Sequence, residues 1–279
     1  MTSRGLFRAE VLLAQSRSVG PVLGLETGGP QASLAVASGG AVLAALSLPR
    51  KAHGEAVVGA IDELLGRAGL TIKELIAIAV GIGPGSFTGL RIALSYAKGV
   101  ALATGCGVVG VPSLDALALC ALTIPGLALD VTICPVLDAR KGEVYAALYR
   151  KVENGLEKLS GEFLAKPQDL ARLIQGEAVY LGEGVISYGD ALREGANGHR
   201  VIFAEVGVTQ SAAAMIAALG AARVGLGQLD AVGSLQPLYV RPSEAELKKK
   251  HAAGTAGLEA LWSIERKNLS ASIAAMTKS

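Results

Sequence analysis

The sequence predicts an α/β protein of two similar lobes, and three observations carry that expectation. Residues 21 to 121 read strand, strand, strand, helix, strand, helix, strand, helix, with the apolar spacing switching between the periods of a strand and a helix. The run Leu75 to Val80 is almost continuously apolar, as in a central strand covered on both faces. The second half passes again through strands, a helix, a glycine-ended strand and a helix, so the order of elements suggests a duplication even though the residues differ.

The elements follow from local signals. Residues 1–20 are basic, with Glu10 as their one acid, and read as an N-terminal extension. The stretch PVLGLETGGPQASLAVASGGAVLAALSLPR gives three strands, closed by Gly28-Gly29 and Gly39-Gly40 as tight hairpin turns. Then Val57, Ile61, Leu64, Leu65 and Ala68 fall on one helical face, with Gly69 as the stop. After the Leu75–Val80 strand, GIGPGSFTGLRIALSYAKG opens a second helix. Its Phe87, Leu90, Leu94, Ala97 and Ala101 recur at three- and four-residue steps. GVVGVPS is a strand, and SLDALALCAL a helix capped by Ser113. The first lobe thus covers residues 21–123.

The second lobe, 124–246, begins with the strand pair VTICPVLDARKGEVYAALYR, whose charged tip separates two apolar arms. A third strand is expected around Leu159 to Leu164. A helix follows from Pro167, then a strand at AVYLGEG and a helix at TQSAAAMIAALGAARVG. Residues 247–279 form a tail outside the lobes, with the basic run Lys248 to Lys250 and an apolar patch of Leu258, Leu261, Trp262 and Ile264. Helix-covered sheets in a repeated βββαβα-type order are the pattern of the actin-like (ASKHA, ribonuclease H-like) fold.

Composition narrows the function classes. The 279 residues are 51% hydrophobic and 18% charged, and mean hydropathy is +0.45. No run of about 18 uncharged apolar residues exists, so the apolar content predicts cores and a cytoplasmic protein without a membrane span. A net charge of +2 makes no bulk electrostatic case for nucleic acid. Cys106, Cys120 and Cys134 lie fourteen residues apart with no CxxC, which points to reduced, buried thiols and no metal.

The glycine-rich turn has three readings. A strand–glycine–helix turn can cradle an anion on free helix N–H groups. Gly83, Gly85 and Gly89 give GxGxxxG, though, and no Lys-Ser or Lys-Thr follows, so neither the dinucleotide fingerprint nor a P-loop is met. A nucleophilic Ser86 would need a histidine base, and His53, His199 and His251 all stand in other contexts. Capping by Ser86 or Thr88 is compatible with either.

The motif Gly83-Pro84-Gly85-Ser86-Phe87-Thr88-Gly89-Leu90-Arg91 is similar to the hallmark segment of the TsaB (YeaZ) family, a subunit of the tRNA threonylcarbamoyladenosine machinery. VLGLETGGPQASLAV, KAHGEAVVGAIDELL, VPSLDALA, LDARKGEVYAALY with Asp138, Arg140, Gly142 and Glu143, and QPLYVRPSEA resemble further family segments in family order. The resemblance implies an actin-like protein without catalysis of its own. Its partners would be a TsaD-type transferase, which holds metal and nucleotide, and a TsaE-type ATPase. Contact with tRNA would be indirect, and an exposed apolar face on the helix bundle would allow homodimers when the protein is alone. It places the partner contact on the first two helices, here carried by Val57, Ile61, Leu64, Phe87, Leu90, Leu94, Ala97 and Ala101. ATP or ADP would be met only at the interface shared with TsaD. Transferases of the superfamily hold metal with H-x-x-x-H on the first helix, whereas His53 is followed four residues on by Val57. Glu26 stands where the family usually has Asp, which questions any nucleotide contact at that hairpin. The alternative reading is a stand-alone actin-like ATP-dependent kinase or acyltransferase.

Overall fold

The computed structural model describes residues 6–8, 14–48, 54–204 and 209–241. His53, Lys248 to Lys250 and the apolar patch at 258–264 lie outside those residues.

The first lobe is built on a five-stranded sheet. Its strands are β2 (Val22–Glu26), β3 (Ser33–Ser38), β4 (Ala41–Ser47), β5 (Ala77–Gly83) and β6 (Gly107–Pro112), in the order β4-β3-β2-β5-β6. The hairpins β2/β3 and β3/β4 are antiparallel, whereas β2/β5 and β5/β6 are parallel. Both faces are covered, which is why the strands are apolar without clean alternation. Leu23, Leu25, Ile78 and Val80 face helices α1 (Gly54–Arg67) and α2 (Phe87–Thr104). Val22, Ala77 and Ala79 point the other way, into a core shared with α3 (Ser113–Cys120) and α6 (Thr209–Gly225). Helix α6 lies so close that a Cβ on Gly24 would stand 2.3 Å from the Ala213 carbonyl oxygen.

The second sheet follows the same plan with additions. Strands β7 (Thr132–Arg140), β8 (Glu143–Ala146), β9 (Tyr149–Val152) and β10 (Gly155–Lys158) form antiparallel pairs. Strands β12 (Ala178–Leu181) and β13 (Val201–Phe203) extend the sheet in parallel from β7. Helices α4 (Pro167–Leu173) and α5 (Gly184–Gly195) cover one face around Tyr180 and Leu192. The shared core runs from Val22 and Val109 to Ile133, Tyr149 and Val179, so the lobes are fused at their base.

Several expectations need correction. The third strand expected at Leu159 to Leu164 is instead two pieces, β10 and β11 (Phe163–Ala165), of which β11 pairs with β8. Ser113 does not cap α3; Pro112 holds the cap position, and the Ser113 hydroxyl accepts a hydrogen bond from the Gly83 amide instead (3.1 Å). Part of the N-terminal extension is structured: β1 (Leu6–Arg8) pairs with β10, and Phe7 packs on Tyr149. Helix α5 and strand β13 carried no clear sequence signal, because their faces are half-buried and interrupted by polar residues. Among the described residues no helix is long and apolar enough to cross a membrane.

Candidate functional site

The glycine-rich motif joins β5 to α2. Gly83 has φ +101, a region glycine favours, and the Gly83–Pro84 peptide bond is cis. Ser86 is the N-cap of α2, its hydroxyl accepting from the Gly89 amide (3.3 Å). The glycines then serve close approach. The Ser86 amide donates to the Gly28 carbonyl (2.7 Å), and the Thr27 hydroxyl donates to the Gly89 carbonyl (2.7 Å). A Cβ on Gly85 would sit 2.5 Å from the Gly28 oxygen, and one on Gly89 would sit 1.9 Å from the Thr27 oxygen. The first turn of α2 therefore lies directly on the turn between β2 and β3. No larger residue fits at either position.

Glu26 ends β2 beneath this junction and is buried. Its Oε1 accepts from the Gly28 amide (2.6 Å), and its carboxyl also bonds the Ser113 side chain. Burial raises its pKa above the ordinary 4.5, against the lowering effect of those hydrogen bonds. In an actin-like ATPase the corresponding carboxylate and turn amides would face magnesium and phosphate. Here the carboxyl is turned inward, Pro30 has no amide, and the Gly28 carbonyl is bound by α2. The residues at this turn do not fit that group.

Facing the turn is the β7–β8 hairpin of the second lobe. Asp138 accepts from the Arg140 amide (2.8 Å), from Arg140 Nη1 (3.1 Å) and from the Tyr188 hydroxyl (3.0 Å). Arg140, Lys141 and Gly142 all have positive φ, at 63°, 56° and 76°, which gives the tip its tight reversal. Glu143 pairs with Arg241. Between hairpin and motif lies a cleft of about 470 Å³, lined by Thr27, Ser86, Thr88, Asp138, Arg140 and Tyr145 among others. The structure thus brings together motif residues some fifty positions apart in sequence, Ser86 and Thr88 with Asp138 and Arg140. Hydroxyls share the lining with the charged Asp138, Arg140 and Glu183 and with the apolar Val57 and Ile92. Among the described residues no three of His, Cys, Asp and Glu cluster to hold a metal. Burial pushes the Cys120 thiol up to about 12, and the Cys134 thiol is also pushed up.

The residues expected to meet a partner are mostly placed elsewhere. Val57, Ile61, Leu64, Leu90, Leu94, Ala97 and Ala101 are all buried against the first sheet. They pack in the core of this chain, with Val57 also lining the cleft. Phe87 alone of the eight is exposed, at 46%; it packs on Tyr239, with the Arg91 guanidinium 3.9 Å above its ring. The solvent faces of α1 and α2 carry other residues: Val58, Gly59 and Asp62 on the first, Ser95, Gly99 and Leu102 on the second. Tyr239 and Arg241, which join the motif segments, lay beyond any sequence signal except their place in QPLYVRPSEA.

Comparison with known proteins gives consistent findings. The family described as tRNA N6-adenosine threonylcarbamoyltransferase matches over residues 44–232. The tRNA threonylcarbamoyladenosine biosynthesis protein TsaB of Escherichia coli K12 is 29% identical over 228 residues, covering 80% of this chain and 96% of that protein. The TsaB protein of Haemophilus influenzae is 28% identical, covering 60% of this chain and 73% of its own. Among solved structures, YeaZ from Pseudomonas aeruginosa has the same fold. Its TM-score is 0.65 at 24% identity, with 79% of this chain and 99% of that one covered.

Proposed function

The chain belongs to the TsaB (YeaZ) family, within the wider tRNA N6-adenosine threonylcarbamoyltransferase family, and serves tRNA threonylcarbamoyladenosine biosynthesis; we propose that it does so as a non-catalytic partner of a TsaD-type transferase. The observation that carries this reading is the junction of α2 with the β2–β3 turn. Glu26, the carboxylate nearest to where a metal-bound phosphate would lie, is spent on Gly28 and Ser113. The turn itself is backed by Ser86 and Gly89. A phosphate would have to displace those internal hydrogen bonds. What the fold leaves to solvent on α1 and α2 includes small and apolar residues, Val58, Gly59, Gly99 and Leu102, beside charged ones such as Asp62 and Glu63, and on the small positions the helices of a related protein can pack closely.

On this reading the TsaE-type ATPase joins the pair, ATP or ADP meets this subunit only where it adjoins the transferase, and tRNA is held by the complex as a whole. The deciding experiment co-purifies the chain with a TsaD-type transferase and measures threonylcarbamoylation of tRNA with and without it. Complex formation and a rise in modified tRNA support the proposal. Steady ATP turnover by the chain alone would favour a free-standing kinase or acyltransferase instead.

A further inference from the structure

After α6 the chain runs as an irregular strap, residues 226–241, from the base of the first lobe to the second. Its first part is tied to the sheet edge. The Asp230 amide donates to the Val108 carbonyl (2.9 Å), and its carboxylate accepts from the Gly110 amide (2.7 Å) and from Arg223. Leu235 is buried over Gly110, and the Leu238 amide donates to the Ile82 carbonyl (2.7 Å), just before the cis Pro84. Beyond Leu238 the strap leaves the sheet. Tyr239 packs on Phe87 at 5.5 Å between ring centroids, and Arg241 crosses to Glu143 on β8. Glu143 lies two residues before Tyr145, which lines the cleft.

The lobes are fused at the base by the shared core, and the strap's two anchors flank the cleft: Phe87 stands between Ser86 and Thr88, and Glu143 two residues before Tyr145, and Ser86, Thr88 and Tyr145 all line it. We propose that residues 226–241 clasp the two lobes beside the cleft, with the Arg241–Glu143 ion pair as the closure. The contacts up to Leu238 are backbone hydrogen bonds, buried apolar groups and the Asp230 carboxylate held by Gly110 and Arg223, a multiple attachment that holds the strap to the first lobe. Among the described residues the contact that ends the strap is an ion pair between partly exposed side chains, of a kind that contributes little and is weakened by salt. That asymmetry makes a fixed arm with a releasable tip. It links the three motif segments physically: GPGSFTGLR through Phe87, DARKGEVY through Glu143, and LYVR through Tyr239 and Arg241.

The test uses the full chain with Cys106→Ser and spin labels at the exposed positions Asp62 and Asp190, one on each lobe. Pulsed distance measurement is made on this background, on Glu143→Gln, and on Glu143→Arg combined with Arg241→Glu. The clasp predicts a narrow distribution that broadens to longer distances in Glu143→Gln and narrows again in the charge swap. The same broadening should follow at high salt without substitution. Exchange of the Leu238 amide should accelerate by less than about threefold, because the fixed arm stays bound. An unchanged distribution in Glu143→Gln overturns the proposal, whatever the amide does. If Glu143→Gln fails to fold, Arg241→Gln asks the same question from the strap side.

Discussion

Glu26 differs from aspartate by one methylene, and the fold absorbs that length at Gly81. A Cβ there would stand 2.4 Å from Glu26 Oε2. The carboxyl is desolvated, and its folded pKa is raised. The unfolded chain releases this proton near 4.5 while the folded chain still holds it, so stability falls as pH rises from that value through the folded pKa. Glu26→Gln should flatten this fall above pH 4.5, as read from urea midpoints; an unaltered slope would refute the assignment. The departure at position 26 is visible in the sequence, but its accommodation is not, since nothing in GIG says that Gly81 makes room for a side chain fifty-five residues earlier. The glycines of α2 separate in the same way. Gly89 lies against Thr27, whereas a Cβ on Gly99 would meet nothing within 4 Å. Gly89→Ala should therefore cost about 3 kcal/mol or more through overpacking against backbone. Gly99→Ala should stabilise the exposed helix by about 1 kcal/mol or less. Equal effects in thermal unfolding would show that the motif glycine has no packing role.

At the scale of elements, the helical spacing in the sequence was sufficient to locate α1 and α2 and to find their apolar stripes. It could not say what the stripes face. A three- and four-residue repeat marks the buried side of a helix on a sheet and the contact side of a helix in a complex equally well. Here Ile61, Leu64 and Ala97 serve the sheet. Substitution by charge at Leu94 or Ala97 would consequently unfold the lobe and report nothing about partners. The partner surface is tested where side chains are free to change, at Gly59 and Gly99, both with open space before them. Gly59→Arg and Gly99→Arg should keep the melting temperature within a few degrees, as surface changes do. On the proposed function they should weaken co-purification with a TsaD-type transferase at least about tenfold, since each would insert a long charged side chain into the proposed helix contact. Retained binding in the double variant would move the interface off these helices. The succession of strands and helices in the first lobe was equally legible, because its hairpin glycines and its buried β5 run are local signals. The strap was not, because its partners Ile82, Phe87 and Glu143 are non-local and its own residues carry no period.

At the scale of the whole molecule, the two lobes are joined by polar as well as apolar contacts. Asp115, in the first turn of α3, accepts from the Tyr149 hydroxyl (2.5 Å) and from Lys158 Nζ (2.6 Å). Lys158 also reaches Glu162 (2.6 Å). One helix of the first half is thereby tied to two strands of the second through a nearly buried cation between two carboxylates. Burial raises the pKa of Asp115 even though Lys158 pulls it down, and Asp115 in turn helps to hold that of Lys158 up against its own desolvation. Such a cluster contributes little net stability while complete, yet it is costly to break, because the remaining charges stay buried. Lys158→Met should cost about 3 kcal/mol at neutral pH by leaving Asp115 and Glu162 facing each other. Part of that loss should return on acidification, as the unpaired carboxylates take up protons in the folded state. Chemical denaturation of both proteins across this range measures the effect. If Lys158→Met loses the same stability at every pH, the role of the lysine is packing of its aliphatic stem, and the charges do not set how the halves are joined.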